Sequence, residues 1–151
     1  MELRHRFAFA LAAPPKEAPR LLLAPERVFA ALPGIKGLKR EGSRLFGELC
    51  GEAPFFGEVC FPFESELKPE NEARARLVPR PLAERRFWAE LGGVGELLGN
   101  ELSYRVQLVL HAELPEGEKW GGRAFRRMVE AALSRHLARA LAALPERLEI
   151  G

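Results

Sequence analysis

The chain contains no aspartate and no threonine; all 21 of its acidic residues are glutamate. That absence excludes paired-Asp proteolysis, Asp-held Mg²⁺ and EF-hand Ca²⁺ loops, each of which draws its carboxylates from Asp at fixed positions. A Ser-His-Asp triad lacks its third member, and the four serines show no nucleophile-elbow glycines. Two cysteines are too few for a disulfide framework. Amides are scarce, with two Asn and one Gln, and Arg outnumbers Lys 18 to 5. Few labile amides beside 12 prolines and many charges form a thermophile-like bias, one that a GC-rich genome also produces. No apolar run approaches the ~20 residues of a membrane span, and the first thirty residues lack a basic start followed by an unbroken apolar stretch. A net charge of +2 gives no general reason to expect nucleic acid. These absences lead to the expectation of a soluble, cytoplasmic protein with no membrane span and no nucleic-acid partner.

What is present suits one domain over residues 1–151, with 47% hydrophobic residues. A chain of this size buries roughly 68–70% of its unfolded surface and needs no staple. Residues 2–11 alternate, with Leu3, His5, Phe7, Phe9 and Leu11 on one side, and predict a half-buried strand that stops at Pro14-Pro15. Residues 16–41 read as helical and broken: Pro25 fits a first helical turn, Val28, Phe29, Ala31 and Leu32 share a face, and Pro33-Gly34 ends it. Ile35 and Leu38 fall in a further short turn or loop. From Gly42 the period becomes two, predicting strands at 44–50, 56–64, 73–79, 84–91 and 101–112. Pro and Gly stretches separate them, including 68–71 and Gly92-Gly93-Val94-Gly95, which reads as a bulge or hairpin turn. Residues 45–50 (LFGELC) and 55–60 (FFGEVC) echo one another, as two neighbouring strands using the same pleat would. Residues 123–144 predict one long helix of roughly 33 Å. Its apolar stripe holds Phe125, Val129, Leu133, Leu137 and Leu141, with Arg123, Arg126, Arg127, Arg135 and Arg139 opposite. Helices segregated to one side of an antiparallel sheet make an α+β domain, and a long helix on a twisted sheet leaves a gap that is either packed shut or a ligand cavity.

This order, together with Leu21 to Gly42 (LLLAPERVFAALPGIKGLKREG), resembles the START-like superfamily of polyketide cyclases, lipid-transfer domains and pollen allergens. Pro25, Glu26, Val28, Phe29 and Leu32 match the family's first-helix pattern. Leu32-Pro33-Gly34 followed by Leu38 is similar to one branch of it, the accessory subunits of carbon monoxide dehydrogenase and their relatives. The link of roughly ten residues between Pro15 and Pro25 is longer than usual in that family. The resemblance implies a helix-grip fold: a twisted antiparallel sheet of about six strands, two short helices and one long C-terminal helix. It also implies binding or carriage of a small hydrophobic, lipid-like or polyketide-like molecule. A ligand-free assembly or interaction accessory with a protein partner is the alternative, and a cyclase-type enzyme ranks after both.

The residues themselves carry little acid–base chemistry. His5 lies on the apolar face of the first strand, His136 at the flank of the helix stripe and His111 on the outward face of the last predicted strand. No HxxxH or CxxC spacing joins them, so no metal, no cofactor and no catalytic residue is expected. With a hairpin turning about Phe55, Cys50 and Cys60 stand directly opposite; a reduced pair is the expectation and a cross-strand disulfide the alternative. Residues 44–72 are acidic and 73–86 basic, which predicts Glu–Arg pairing between neighbouring strands. The expected ligand cavity lies between sheet and helix, walled by Phe7, Phe61, Phe63, Tyr104, Val129, Ala132, His136 and Ala140. The Tyr hydroxyl and the imidazole would be its few orienting polar groups.

Overall fold

A computed structural model describes residues 2–30, 32, 34–53, 57–82, 84–113, 127, 131, 135 and 147–149. The elements run β1 (Glu2–Ala12), α1 (Ala18–Leu22), α2 (Pro25–Phe29), β2 (Ile35–Glu41), β3 (Arg44–Ala53), β4 (Gly57–Asn71), β5 (Arg74–Arg80), β6 (Phe87–Leu98), β7 (Glu101–Ala112) and β8 (Arg147–Glu149). They form one sheet in the order β2-β3-β4-β5-β6-β7-β1-β8. Seven strands pair antiparallel, and the short β8 lies parallel against β1. The sheet is therefore wider than the six strands expected.

Two of the expected breaks lie inside strands. Residues 68–71 belong to β4, and its turn falls at Glu72-Ala73, where Asn71 Oδ1 accepts the Ala73 N–H at 2.8 Å. Asn and Asp side chains favour turns by this local bond. The glycine run 92–95 belongs to β6 rather than to a turn. A Cβ at Gly93 would lie 2.6 Å from the Arg105 carbonyl oxygen, and one at Gly95 2.7 Å from the Tyr104 ring. Glycine is needed there because β7 presses close, as strand glycines often indicate. Residues 35–41 are also a strand, not a loop: β2 pairs with β3, with a bulge between Lys36 and Lys39.

The sheet curls hard about β5. Pro79 has no N–H to give, and β5 pairs with β6 only through Arg74–Leu77. Beyond that point β4 and β6 meet directly: Ser65 Oγ donates to the Leu91 carbonyl, and Phe61 packs edge-on to Phe87 at 5.8 Å. The inner face of the curl holds the core. Phe9, Leu11, Leu45, Phe61, Phe63, Leu91, Leu102, Tyr104 and Leu108 are buried there, with Leu21, Leu22, Val28 and Phe29 of the two helices.

Cys50 and Cys60 face each other in the β3–β4 register and are joined by a disulfide, with Cα atoms 4.1 Å apart. The reduced pair is thus corrected. The Cys50 N–H donates to the Gly34 carbonyl on the β2 side, at 2.8 Å. Opposite Cys60 the pair is therefore of the narrow, non-hydrogen-bonded kind, which brings the two side chains together. The long helix expected over 123–144 lies outside the described residues, apart from Arg127, Ala131 and Arg135, which are helical and exposed.

Candidate functional site

The inner face combines two aromatic groups. The first is built on β1, β7 and α2. Phe9 stacks on Tyr104 at 5.7 Å and on Phe7 at 6.1 Å, and Phe29 meets both Phe9 and Tyr104 edge-on, at 6.0 and 5.4 Å. The second is the Phe61–Phe87 pair across the curl, and Phe63 is buried on the same strand as Phe61, over Gly47. Phe7 and Tyr104 thus share one cluster, linked through Phe9, while Phe61 and Phe63 belong to β4. Phe7 is half-buried; Phe61, Phe63 and Tyr104 are buried. Val129, Ala132, His136 and Ala140 lie outside the described residues.

Polar groups on this face are few. The Ser65 hydroxyl is spent on the Leu91 carbonyl. The Tyr104 hydroxyl is buried with no hydrogen-bond partner among the described residues. Burial, and then the negative charge of Glu26, push its phenol well above the ordinary tyrosine range. Glu26 reaches this region from the first turn of α2, and Arg40 of β2 stands 3.4 Å from its carboxylate; Arg40 also donates to the Leu23 carbonyl. An uncharged phenol in an apolar wall is suited to donate one hydrogen bond to a guest; it is not a base at neutral pH. Glu26 stands in the quoted Pro-Glu motif, but nothing in the sequence ties it to Tyr104, because α2 and β7 meet only in the fold.

His5 is half-buried on the inner side of β1. His111 points outward as its parity requires. It stacks on Trp88 at 3.9 Å and contacts Glu90 at 3.0 Å through Nε2. Among the described residues one trio of ligand-type atoms, from Glu48, Cys50 and Cys60, comes within 4.8 Å, and both of its sulfurs are in the disulfide. No helix among the described residues is long and apolar enough to cross a membrane.

A family model described as "protein of unknown function (DUF3809)" matches residues 6–142. The chain belongs to this family. No curated protein matches it. Among solved structures, the DUF3809 chain is similar to the Zhui aromatase/cyclase from a Streptomyces species, at 14% identity and a TM-score of 0.53, over 95% of this chain and 91% of that one. It is also similar to the protein TTHA0849 from Thermus thermophilus, at 23% identity and a TM-score of 0.47, over 95% and 100%. A START superfamily protein from Mycobacterium smegmatis matches at 17% identity and a TM-score of 0.45, over 91% and 93%. The curled antiparallel sheet with two short helices is the START-like, polyketide cyclase-like fold, as the resemblance implies.

Proposed function

We propose that this DUF3809 protein binds or carries a small hydrophobic molecule, lipid-like or polyketide-like, against the inner face of its sheet. The one observation that carries the reading is the buried Tyr104 hydroxyl, unpartnered among the described residues, in an otherwise apolar wall. A buried hydroxyl without a partner is costly to the fold, and a guest with a polar head would satisfy it. The fold shared with an aromatase/cyclase supports the same reading.

The walls proposed are Phe7, Phe61, Phe63 and Tyr104 from the sheet and Val129, Ala132, His136 and Ala140 from a C-terminal helix over 123–144. The chain acts as one domain, in the cytoplasm. Carriage is favoured over cyclisation because the inner face offers a neutral phenol and a committed serine rather than a charged acid–base pair. The likeness to the carbon monoxide dehydrogenase accessory branch rests on Leu32-Pro33-Gly34 and favours the alternative of an assembly accessory.

An environment-sensitive fluorescent fatty acid tests the proposal. Saturable micromolar binding is expected, weakened about tenfold by Tyr104→Phe through loss of one hydrogen bond to a charged head group. Ala132→Phe or Ala140→Phe should also weaken it by filling the space. Absence of saturable binding by the folded protein would reject the carrier reading in favour of the assembly accessory.

A further inference from the structure

The outer face of the sheet holds a separate feature that the inner-face reading does not use. Three rows of residues cross neighbouring strands there. Arg4, Val109 and Glu90 form the first; Arg6, Gln107 and Gly92 the second; Ala8, Arg105, Val94 and Arg76 the third. In the middle row β6 contributes no side chain. A Cβ at Gly92 would lie 3.1 Å from the Pro79 Cδ, so the strand is bare there and flanked by proline. Ala8 and Val94 are short as well. The result is a groove of about 1070 Å³ with a floor of small residues and backbone.

Its rim is cationic. Arg4, Arg6, Arg76 and Arg105 all line it, against Glu90 as the only acid of the lining. Glu90 is already engaged by His111 Nε2 at 3.0 Å. Arg6 has no carboxylate partner among the described residues. The other three arginines reach to Glu2, Glu70 and Glu96, outside the groove, through side chains that are 63%, 49% and 69% exposed. Ion pairs this wet are weak and readily exchanged for a ligand. Arg76 and Arg105 stand on either side of Val94, two strand spacings or roughly 10 Å apart along the sheet. Guanidinium forks at that separation suit several linked phosphates, each taken bidentately.

We propose that this groove is a binding site for a small anion bearing two or more linked phosphate groups. Its lining presents no outward aromatic ring on which nucleic-acid bases would stack, and no exposed apolar anchor for a lipid surface. The site is independent of the inner face, so either can fail without the other.

Calorimetric titration of the full-length protein with inorganic tripolyphosphate tests it. One saturable site is expected, weakening as salt is raised. Arg6→Glu and Arg105→Glu should each weaken binding by at least about tenfold, with Arg6→Gln and Arg105→Gln as milder variants should a reversal disturb folding. Ala8→Phe should weaken it without changing charge, by occupying the floor. Lys39→Glu, on β2 and away from the groove, should leave affinity within about twofold. The proposal is overturned by an absence of saturable heat, or by Lys39→Glu weakening binding as much as Arg105→Glu. Tighter binding of single-stranded RNA or of phosphatidylglycerol vesicles than of tripolyphosphate would equally overturn it, by assigning the face to a macromolecule.

Discussion

The two faces of one sheet follow opposite chemistry. On the inner face, side chains of β1, β4, β6 and β7 are apolar and buried, and their contacts are rings against rings. On the outer face the same strands carry charge in cross-strand ladders. Glu64 of β4 holds Arg44 of β3 and Arg80 of β5, and Glu96 of β6 holds Arg74 of β5 and Arg105 of β7. The expected pairing of acidic and basic stretches is thus met between neighbouring strands. The difference teaches where stability and binding reside. Inner positions are dry and close-packed, so each atom counts; outer positions stay wet, so their charges add little to the fold and remain available to ligands.

The largest test of that contrast compares two phenylalanines. Phe61 is buried and Phe46 lies half-buried under Arg44, on the outer side. Phe61→Ala is expected to destabilise by roughly 3–5 kcal/mol. Phe46→Ala is expected to lose only about 1 kcal/mol, from partial burial and an exposed cation–π contact. Urea midpoints of the two variants measure this, and equal losses would erase the distinction between faces.

The strongest single contribution from the outer face is the Cys50–Cys60 bridge. It closes a separation of 10 residues, and a loop that short stabilises by roughly 2–3 kcal/mol in the chain-entropy account. Thiol counting on denatured, unreduced protein should find none, and the denaturation midpoint should fall on reduction. Two free thiols would restore the reduced pair.

Tyr104 sharpens the contrast from within the inner face. Because it is the chain's one tyrosine, its titration is read directly from phenolate absorbance. Its folded pKa is raised above the ordinary value of 10.0. The unfolded chain then loses its proton first, so this group's stabilising contribution is complete below pH 10 and declines as pH rises beyond it. Phenolate should appear together with loss of the folded-state signal; ionisation near the ordinary value in the folded protein would mean a solvated ring. At the small end, Glu64→Gln should shift stability by about 0.5–1 kcal/mol despite its two arginines, and added salt should shrink that shift further.

How much was legible in the sequence followed from the same two faces. Alternation exposes a strand wherever one side is buried and the other wet, so β1 and β7 and the inward positions Phe7, Phe61, Phe63 and Tyr104 were readable. It fails where that contrast is absent. β2 is an edge strand with four cationic or acidic residues and little burial, and it read as a loop. The glycines of β6 read as a turn because their purpose, close approach of β7, is set by a neighbouring strand. The opposed positions of Cys50 and Cys60 were readable from their spacing about a hairpin, but their oxidation was not, since it depends on the narrow pairing. The Glu26–Tyr104 encounter and the ring of arginines about Gly92 depend on strand register and helix placement, which no local pattern encodes.

The central claim is that the inner face holds a small hydrophobic guest. Native mass spectrometry of the protein purified from its own cells tests it most directly. The account predicts a co-purifying lipid-like or polyketide-like mass, lost on denaturation and diminished in Tyr104→Phe. The bare chain mass alone, or a stoichiometric protein partner with no small molecule, would contradict it.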